Sequence, residues 1–197
     1  MKNTIAPPRF AQGDHRIILA SGSPRRRELC TAMGLTFTVK TSDVDESIPV
    51  GTAPREAVEM LSRRKAEAIP EGDAIVIAAD TVVALGNTIL GKPESEADAR
   101  AMLAMLSGKT HAVFTGVTVG YRGRILTASD ATSVTFRTLS EGEIADYVAT
   151  GEPMDKAGAY GIQGLGGALV ESTDGEFDNV VGLPCRLLAR MLEEIVK

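Results

Sequence analysis

The chain is short of cysteine, of histidine, of surplus positive charge and of long apolar runs, and each shortage removes a class of function. Cys30 and Cys185 are the only cysteines in 197 residues and no CxxC spacing occurs. That leaves no disulfide framework and no structural zinc site, and it points to a reducing compartment. Two histidines, His15 and His111, give little material for a histidine metal centre or a serine–histidine triad. Lys and Arg total 21 against 26 Asp and Glu, a formal net charge of −5. Proteins that track a nucleic-acid backbone are usually basic, so no nucleic-acid partner is expected. No apolar run reaches membrane-spanning length, and the opening MKNTIAPPRFAQGDH lacks the apolar core of a secretory signal. The expectation is a cytoplasmic protein with no membrane partner. Residues 1–15 read as a flexible extension and residues 16–197 as a single domain.

What is present is a hydrophobic share of 44%, enough for one sizeable core or two small lobes. Strand and helix signals alternate. Ile17 to Ala20, Phe37 to Thr41 and the apolar run Ala74 to Ala79 read as strands, as do His111 to Val119 and Ile125 to Leu139, with a turn at Tyr121-Arg122-Gly123-Arg124. Pro54 to Ile69 is helical, with Val58, Leu61 and Ala68 on one stripe. Ser95 caps a helix to Leu106, Ser140 and Glu143 form a capping box, and Pro184 opens an amphipathic helix carrying Leu187, Leu188, Met191, Leu192 and Ile195. Asp174-Gly175 reads as a hairpin-type turn. The pattern predicts an α/β fold around a mixed, twisted sheet, with two lobes and a cleft.

The chemistry begins at LASGSPRRREL. Ser23 suits an N-cap, Pro24 the first helical position and Gly34 the helix end. Arg25, Arg26 and Arg27 then crowd a helix start that already carries positive dipole charge. The wrong sign for stability becomes the right sign for an anion held by N–H groups, the hydroxyls of Ser21 and Ser23, and guanidinium forks.

Three polar residues stand where apolar ones belong. Lys65 lies on the stripe of Val58 and Leu61, where a lysine either snorkels to water or is aimed at a phosphate. Asp80 interrupts Ile75-Val76-Ile77-Ala78-Ala79 and Val82-Val83, and a buried carboxylate requires a partner, a metal or a cleft. A hairpin at Gly86-Asn87 sets Leu85 opposite Thr88, and counting back sets Thr81 opposite Lys92. A bulge at Gly91 would bring Asp80 and Lys92 to one face. A second acidic spot, Ser42-Asp43-Val44-Asp45-Glu46, follows the second strand. Carboxylates with such cations suit a phosphate reaction assisted by Mg²⁺ or Mn²⁺.

SGSPRRREL, RRKA ending at Ala66, AADTVV with GKP, LSGKTH, and GEPMDKAGAYGIQGLGG followed by VVGLP together resemble the Maf family of nucleoside triphosphate pyrophosphatases. The resemblance runs from Ile17 to the C-terminus. It implies an α/β fold with a curved mixed sheet flanked by helices, two lobes and a central cleft, similar to inosine triphosphate pyrophosphatases. It implies hydrolysis of a nucleoside triphosphate to monophosphate and pyrophosphate, a divalent metal and a homodimer. The family's base falls on Asp80, its phosphate-binding serine and arginine on Ser21 and Arg25, and its lysines on Lys65 and Lys92. An acidic position, often glutamate in the family, falls on Asp45, which with Asp80 would hold the metal. DKAGAYGIQG resembles the branch acting on dTTP and UTP, whose base-choosing positions fall on Arg26, Thr81 and Gln163. A 7-methyl-GTP or broader nucleotide pyrophosphatase, and a non-catalytic nucleotide-binding regulator of cell division, are the alternative readings. Assay against the common nucleoside triphosphates and 7-methyl-GTP separates the first from a dTTP/UTP enzyme, and the set Asp80, Lys65 and Lys92 argues against the second.

Overall fold

The computed structural model describes residues 10–69 and 72–197. Of the expected extension, residues 1–9 lie outside the described residues. Phe10 is buried in the core, and the Gln12 side chain donates to the Thr36 carbonyl and accepts from its N–H, both at 2.8 Å. Among the described residues, no helix is long and apolar enough to cross a membrane.

The elements run β1 (Arg16–Leu19), α1 (Pro24–Ala32), β2 (Phe37–Val39), α2 (Pro54–Glu67), β3 (Ala74–Leu85), β4 (Thr88–Leu90), α3 (Glu96–Leu106), β5 (Thr110–Tyr121), β6 (Arg124–Phe136), α4 (Glu141–Ala149), β7 (Val170–Asp174), α5 (Phe177–Val181) and α6 (Cys185–Ile195). Three 3₁₀ turns, Glu152–Asp155, Ala157–Ala159 and Leu165–Leu169, fill the glycine-rich stretch before β7. Seven strands form a mixed sheet in the order β2-β1-β3-β5-β6-β7, with β4 paired to β3. β1 lies parallel to β2 and β3, while β3–β4 and β6–β7 are antiparallel.

Contacts divide the chain into two compact units. The first comprises Met1–Asp80, Thr115–Asp130 and Gly182–Lys197. Its core follows strand alternation. Ile17, Leu19, Ile75, Ile77 and Ala79 face one cluster with Cys30, Met33, Leu188 and Leu192, while Ile18, Ala20, Val76 and Ala78 face another with Ala66 and Ile69 of the α2 region. β1 and β3 are therefore buried on both faces, as parallel strands usually are. Ala68, expected on the α2 stripe, is instead the exposed C-cap, because the helix ends at Glu67; Ala57, Ser62 and Ala66 are buried with Val58 and Leu61.

Two contacts dock α2 on β5 and β6. At Gly116 the strand meets the helix backbone at Val58 and Glu59, leaving no space for a Cβ. One turn on, the Ser62 hydroxyl donates to the Glu59 carbonyl at 3.0 Å and meets the Thr118 hydroxyl at 2.9 Å, which meets the Thr127 hydroxyl at 2.9 Å. Since the Ser62 proton is committed to Glu59, Thr118 donates to Ser62 and Thr127 to Thr118.

The second unit comprises Thr81–Phe114 and Ala131–Val181. Leu103, Leu106, Val113, Phe136, Ile144, Tyr147 and Tyr160 belong to its core. Ser95 caps α3 through the Asp98 N–H, and Ser140 with Glu143 closes the capping box of α4 in both directions. The β3–β4 register matches expectation, with Leu85 opposite Thr88, but the ladder ends at Val83↔Leu90. Gly91 instead gives its carbonyl to the Gly158 N–H at 3.0 Å, so Lys92 leaves the strand rather than pairing with Thr81. Asp174-Gly175 makes no hairpin. Gly175, at φ +127°, passes against Thr132, whose hydroxyl donates to the Glu176 carbonyl at 2.9 Å, and the chain turns into α5.

His111 is 3% exposed, its Nε2 is 2.8 Å from the Tyr160 hydroxyl, and its ring stands edge-on to Phe136 and Tyr160. Burial lowers its pKa to about 4. An unfolded histidine takes up a proton near pH 6.5 and the folded one only near 4, so stability present above pH 6.5 drains away as pH falls toward 4. The loss amounts to roughly 3 kcal/mol. His111→Gln keeps a hydrogen-bonding group without titrating, so its melting temperature is expected to vary less than that of the wild type between pH 6.5 and 4; parallel curves would refute this. Gly116→Ala is expected to cost about 3 kcal/mol or more, since the obstructing atoms are backbone. A melt within about a degree of wild type would contradict the docking described.

Candidate active site

Ser23 caps α1 as its sequence suggests, its hydroxyl accepting from the Arg26 N–H at 3.5 Å, with Pro24 opening the helix. At the other end the Leu35 N–H closes onto the Cys30 carbonyl and Gly34 takes φ +79°. The residues between β1 and α1 are organised around Ser21, which is 8% exposed. Its hydroxyl accepts from the Ser23 N–H at 3.3 Å and from the Arg26 guanidinium at 3.2 Å. Arg26 also donates through Nε to the Gly182 carbonyl at 2.8 Å, which fixes the plane of its fork. Arg27 turns back to the Gly22 carbonyl, and Arg25 is half-buried at the same helix end.

Burial lowers the pKa of the Arg26 guanidinium; Asp80 and Glu46 oppose the fall, and Arg25 adds to it. The cation stays protonated at any working pH. Arg26 therefore lies within the field of both Asp80 and Glu46. The backbone explains why. Ala20 N–H bonds the Ile77 carbonyl just past the Leu19↔Ile77 pair, so the loop after β1 runs beside β3 as it reaches Asp80. Loops at the carboxyl ends of parallel strands are where α/β sheets place their ligands.

Asp80 is 8% exposed. Strand alternation puts it on the face of Val76 and Ala78, toward α2. Lys65 reaches it from α2 with an Nζ–Oδ1 distance of 2.5 Å and also holds Glu46 Oε1 at 2.8 Å. The Lys65 and Asp80 side chains are 14% and 12% exposed. Lys65 therefore does not snorkel to water; its ammonium bridges a buried and an exposed carboxylate. Removing either member of a pair so placed leaves an uncompensated charge.

Asp45 is differently engaged. Its two carboxylate oxygens accept from the Ser47 hydroxyl at 2.7 Å and the Ser47 N–H at 2.8 Å, and these bonds hold its carboxyl below the ordinary range. Arg64 secures the same loop through the carbonyls of Asp45 and Ser47. The acid joined to Lys65 is thus Glu46, which sequence reasoning passed over within the run Asp43-Val44-Asp45-Glu46. Only the loop conformation distinguishes the two.

Thr81, Lys92 and Gln163 belong to the second unit. Thr81 follows Asp80 in β3 and is half-buried; Lys92 is exposed just beyond β4; Gln163 is exposed in the glycine-rich segment. Among the described residues no three carboxylate, histidine or cysteine side chains converge on one point. Asp80 and Glu46, the two hard-oxygen groups at Lys65, nevertheless fit a small divalent ion of the kind held by one or two carboxylates together with substrate phosphates.

The chain is 48% identical over 181 residues to a dTTP/UTP pyrophosphatase of Bacillus cereus strain AH820, covering 91% of this chain and 95% of that one. It is 51% identical over 173 residues to a dTTP/UTP pyrophosphatase of Moorella thermoacetica, covering 86% and 89%. Among solved structures, a HAM1 protein from Coxiella burnetii superposes with a TM-score of 0.53 at 14% identity, over 91% of this chain and 99% of that one. The Ham1 protein of Staphylococcus aureus gives 0.50 at 16%, over 91% and 98%. At such identities the structural likeness speaks for the fold. The profile of the Maf-like proteins matches residues 16–195, nearly the whole sequence around Ser21, Lys65 and Asp80, and the chain belongs to that family.

Proposed function

We propose that this protein hydrolyses dTTP and UTP to the nucleoside monophosphate and pyrophosphate, with Asp80 as the general base. The observation that carries the reading is the buried Asp80 carboxylate, in contact with the Lys65 ammonium and within the field of Arg26 at an arginine-rich helix start. A carboxylate so placed can take a proton from water, and the cations around it can take up phosphate charge. The name dTTP/UTP pyrophosphatase, borne by relatives about half identical over most of their length, supports the substrate.

On this reading a water attacks the α-phosphorus in line with the departing pyrophosphate and gives its proton to Asp80. Arg25, the N–H groups after Ser23, Ser21 and Lys65 stabilise the charge that gathers on the phosphate oxygens. Preorganisation matters here, since Ser21 and Arg26 already hold each other at 3.2 Å before any anion arrives. Mg²⁺ or Mn²⁺, held by Asp80 with Glu46 or Asp45, would neutralise triphosphate charge when bound. The family resemblance assigns Lys92 to the phosphates as well, and Arg26, Thr81 and Gln163 to the choice of base. A glutamine amide suits that task, donating to a uracil or thymine carbonyl and accepting from N3–H. A homodimer in the cytoplasm completes the reading, and two buried cysteines that form no disulfide are in keeping with a reducing compartment.

Asp80→Asn keeps size and loses the base, so kcat for UTP is expected to fall by about 10²–10⁴-fold with little change in nucleotide affinity. Near-normal turnover by the folded variant would remove Asp80 from that role, and orthophosphate as the product would remove the reaction. Lys65→Met is expected to impair every accepted nucleotide and also to lower stability, by about 3 kcal/mol, because Asp80 remains buried without its counter-ion. Combining it with Asp80→Asn should restore part of the melting temperature. If the double variant melts no higher than Lys65→Met alone, the two side chains are not coupled as described.

A further inference from the structure

Gln163 sits at the tip of a tight turn. The Gly164 N–H bonds the Gly161 carbonyl at 3.3 Å, so Ile162 and Gln163 are its two central residues. The turn has one apolar contact, Ile162 packed against the core of the second unit, while Gln163, Gly164 and Leu165 are all exposed, Leu165 by 61%. Its two ends are also tied to a pair of side chains from outside the turn. At the entry, the Gly161 N–H donates to the Tyr147 hydroxyl at 3.2 Å. At the exit, the Leu165 N–H donates to Glu152 Oε2 at 2.9 Å and the Gly166 N–H to Oε1 at 3.1 Å. The pair is joined, since the Tyr147 hydroxyl donates to Glu152 Oε1 at 2.9 Å.

The glycines are the counterpart of this arrangement. A Cβ on Gly164 would stand 2.5 Å from Glu152 Oε2, one on Gly166 2.5 Å from the Tyr147 hydroxyl, and one on Gly161 2.6 Å from Lys156 Cε. Only at Gly164 is the obstruction the carboxylate itself; at Gly166 it includes the Gly161 main chain, and a side chain at any of the three would force a neighbour to shift. Lys156 closes the floor, its ammonium donating to the Glu152 carbonyl at 2.7 Å and to Asp155 Oδ1 at 2.6 Å. Burial by itself would raise the Glu152 pKa; the Gly166, Leu165 and Tyr147 donors and the Lys156 charge outweigh it and hold the carboxyl below its ordinary range.

We infer that Glu152, together with Tyr147, is a positioning residue for base selection: its carboxylate fixes the turn that presents the Gln163 amide, and so sets the preference for uracil and thymine over cytosine without touching the nucleotide. The inference rests on the assignment of Gln163 to the base. An amide selects between N3–H with a carbonyl and N3 with an amino group only if it cannot flip or drift. A turn clamped at both ends meets that condition, whereas the same glycine-rich turn without its carboxylate is held at its exit by no side chain and keeps only the Ile162 contact and the Tyr147 bond.

The test is kcat/KM for UTP and CTP with wild type, Gln163→Ala, Glu152→Gln, Tyr147→Phe and the double variant Glu152→Gln/Gln163→Ala. Glu152→Gln sets an amide NH₂ against main-chain N–H, and Tyr147→Phe deletes one hydroxyl; each is expected to lower the UTP:CTP ratio by about tenfold, mainly through KM for UTP. The double variant should show the ratio of Gln163→Ala alone, because both changes act through one amide. A variant that is merely less folded loses both nucleotides in proportion and keeps its ratio, and where Glu152→Gln does not fold, Tyr147→Phe provides the reading. If Gln163→Ala lowers the ratio while Glu152→Gln or Tyr147→Phe leaves it at the wild-type value, the positioning role is overturned and the role of Gln163 stands. A double variant whose ratio falls well below that of Gln163→Ala overturns it as well. If Gln163→Ala itself leaves the ratio unchanged, base selection by Gln163 fails, and the inference with it.

Discussion

A carboxylate at the end of a buried strand is the constraint around which the first unit is arranged. Asp80 lies where β3 has been apolar on both faces for six residues, and an ionised side chain there costs several kcal/mol unless a counter-ion comes to it. Lys65 is that counter-ion, and it can reach only because α2 is pressed against the sheet. The press depends on Gly116, where helix and strand backbones touch, and on the hydroxyl chain Ser62–Thr118–Thr127, which satisfies the polar groups trapped beneath the helix. A cavity-filling side chain at Gly116 would therefore disturb chemistry that it does not touch.

The same pair shows how a site can be both costly and useful. Lys65 and Asp80 would be more easily replaced by two apolar side chains if stability alone mattered. Their retention fits the role proposed for Asp80 as base and for Lys65 toward an anionic substrate. Arg26 extends the pattern: its fork is fixed by Ser21 and Gly182 before any ligand binds, so little ordering remains to be done on binding.

The glycine-rich segment works by the opposite device. Asp80 is placed by packing and ion pairing from regular elements, while the turn that carries Gln163 is tied by main-chain hydrogen bonds collected on one carboxylate. Motif and structure meet at GEPMDKAGAYGIQGLGG: the glutamate is the hub, the lysine its floor, and Gly161, Gly164 and Gly166 the positions at which the chain passes close to Lys156, Glu152 and Tyr147. These main-chain bonds supplement the one apolar contact at Ile162, which agrees with the exposure of Gln163 and Leu165.

Much of this was determined by local chemistry and is legible in the sequence. Ser23-Pro24 and Gly34 bound α1, Ser140 and Glu143 cap α4, and the turn residues Arg122 and Gly123 take the left-handed conformations that a two-residue hairpin requires. Those are interactions within a few residues, where side-chain type and spacing suffice. Asp80 and Lys65 could also be picked out, because a charge within an apolar pattern is visible without knowing its partner. The partner itself was decided in three dimensions. That Glu46 rather than Asp45 meets Lys65 depends on Ser47 capturing both oxygens of Asp45 and on Arg64 holding the loop. That Lys92 leaves the β4 ladder depends on Gly158 claiming the Gly91 carbonyl, and that Asp174-Gly175 leads to a helix depends on Thr132. In each case two local options of similar energy were available, and a residue distant in sequence supplied the hydrogen bond that separated them.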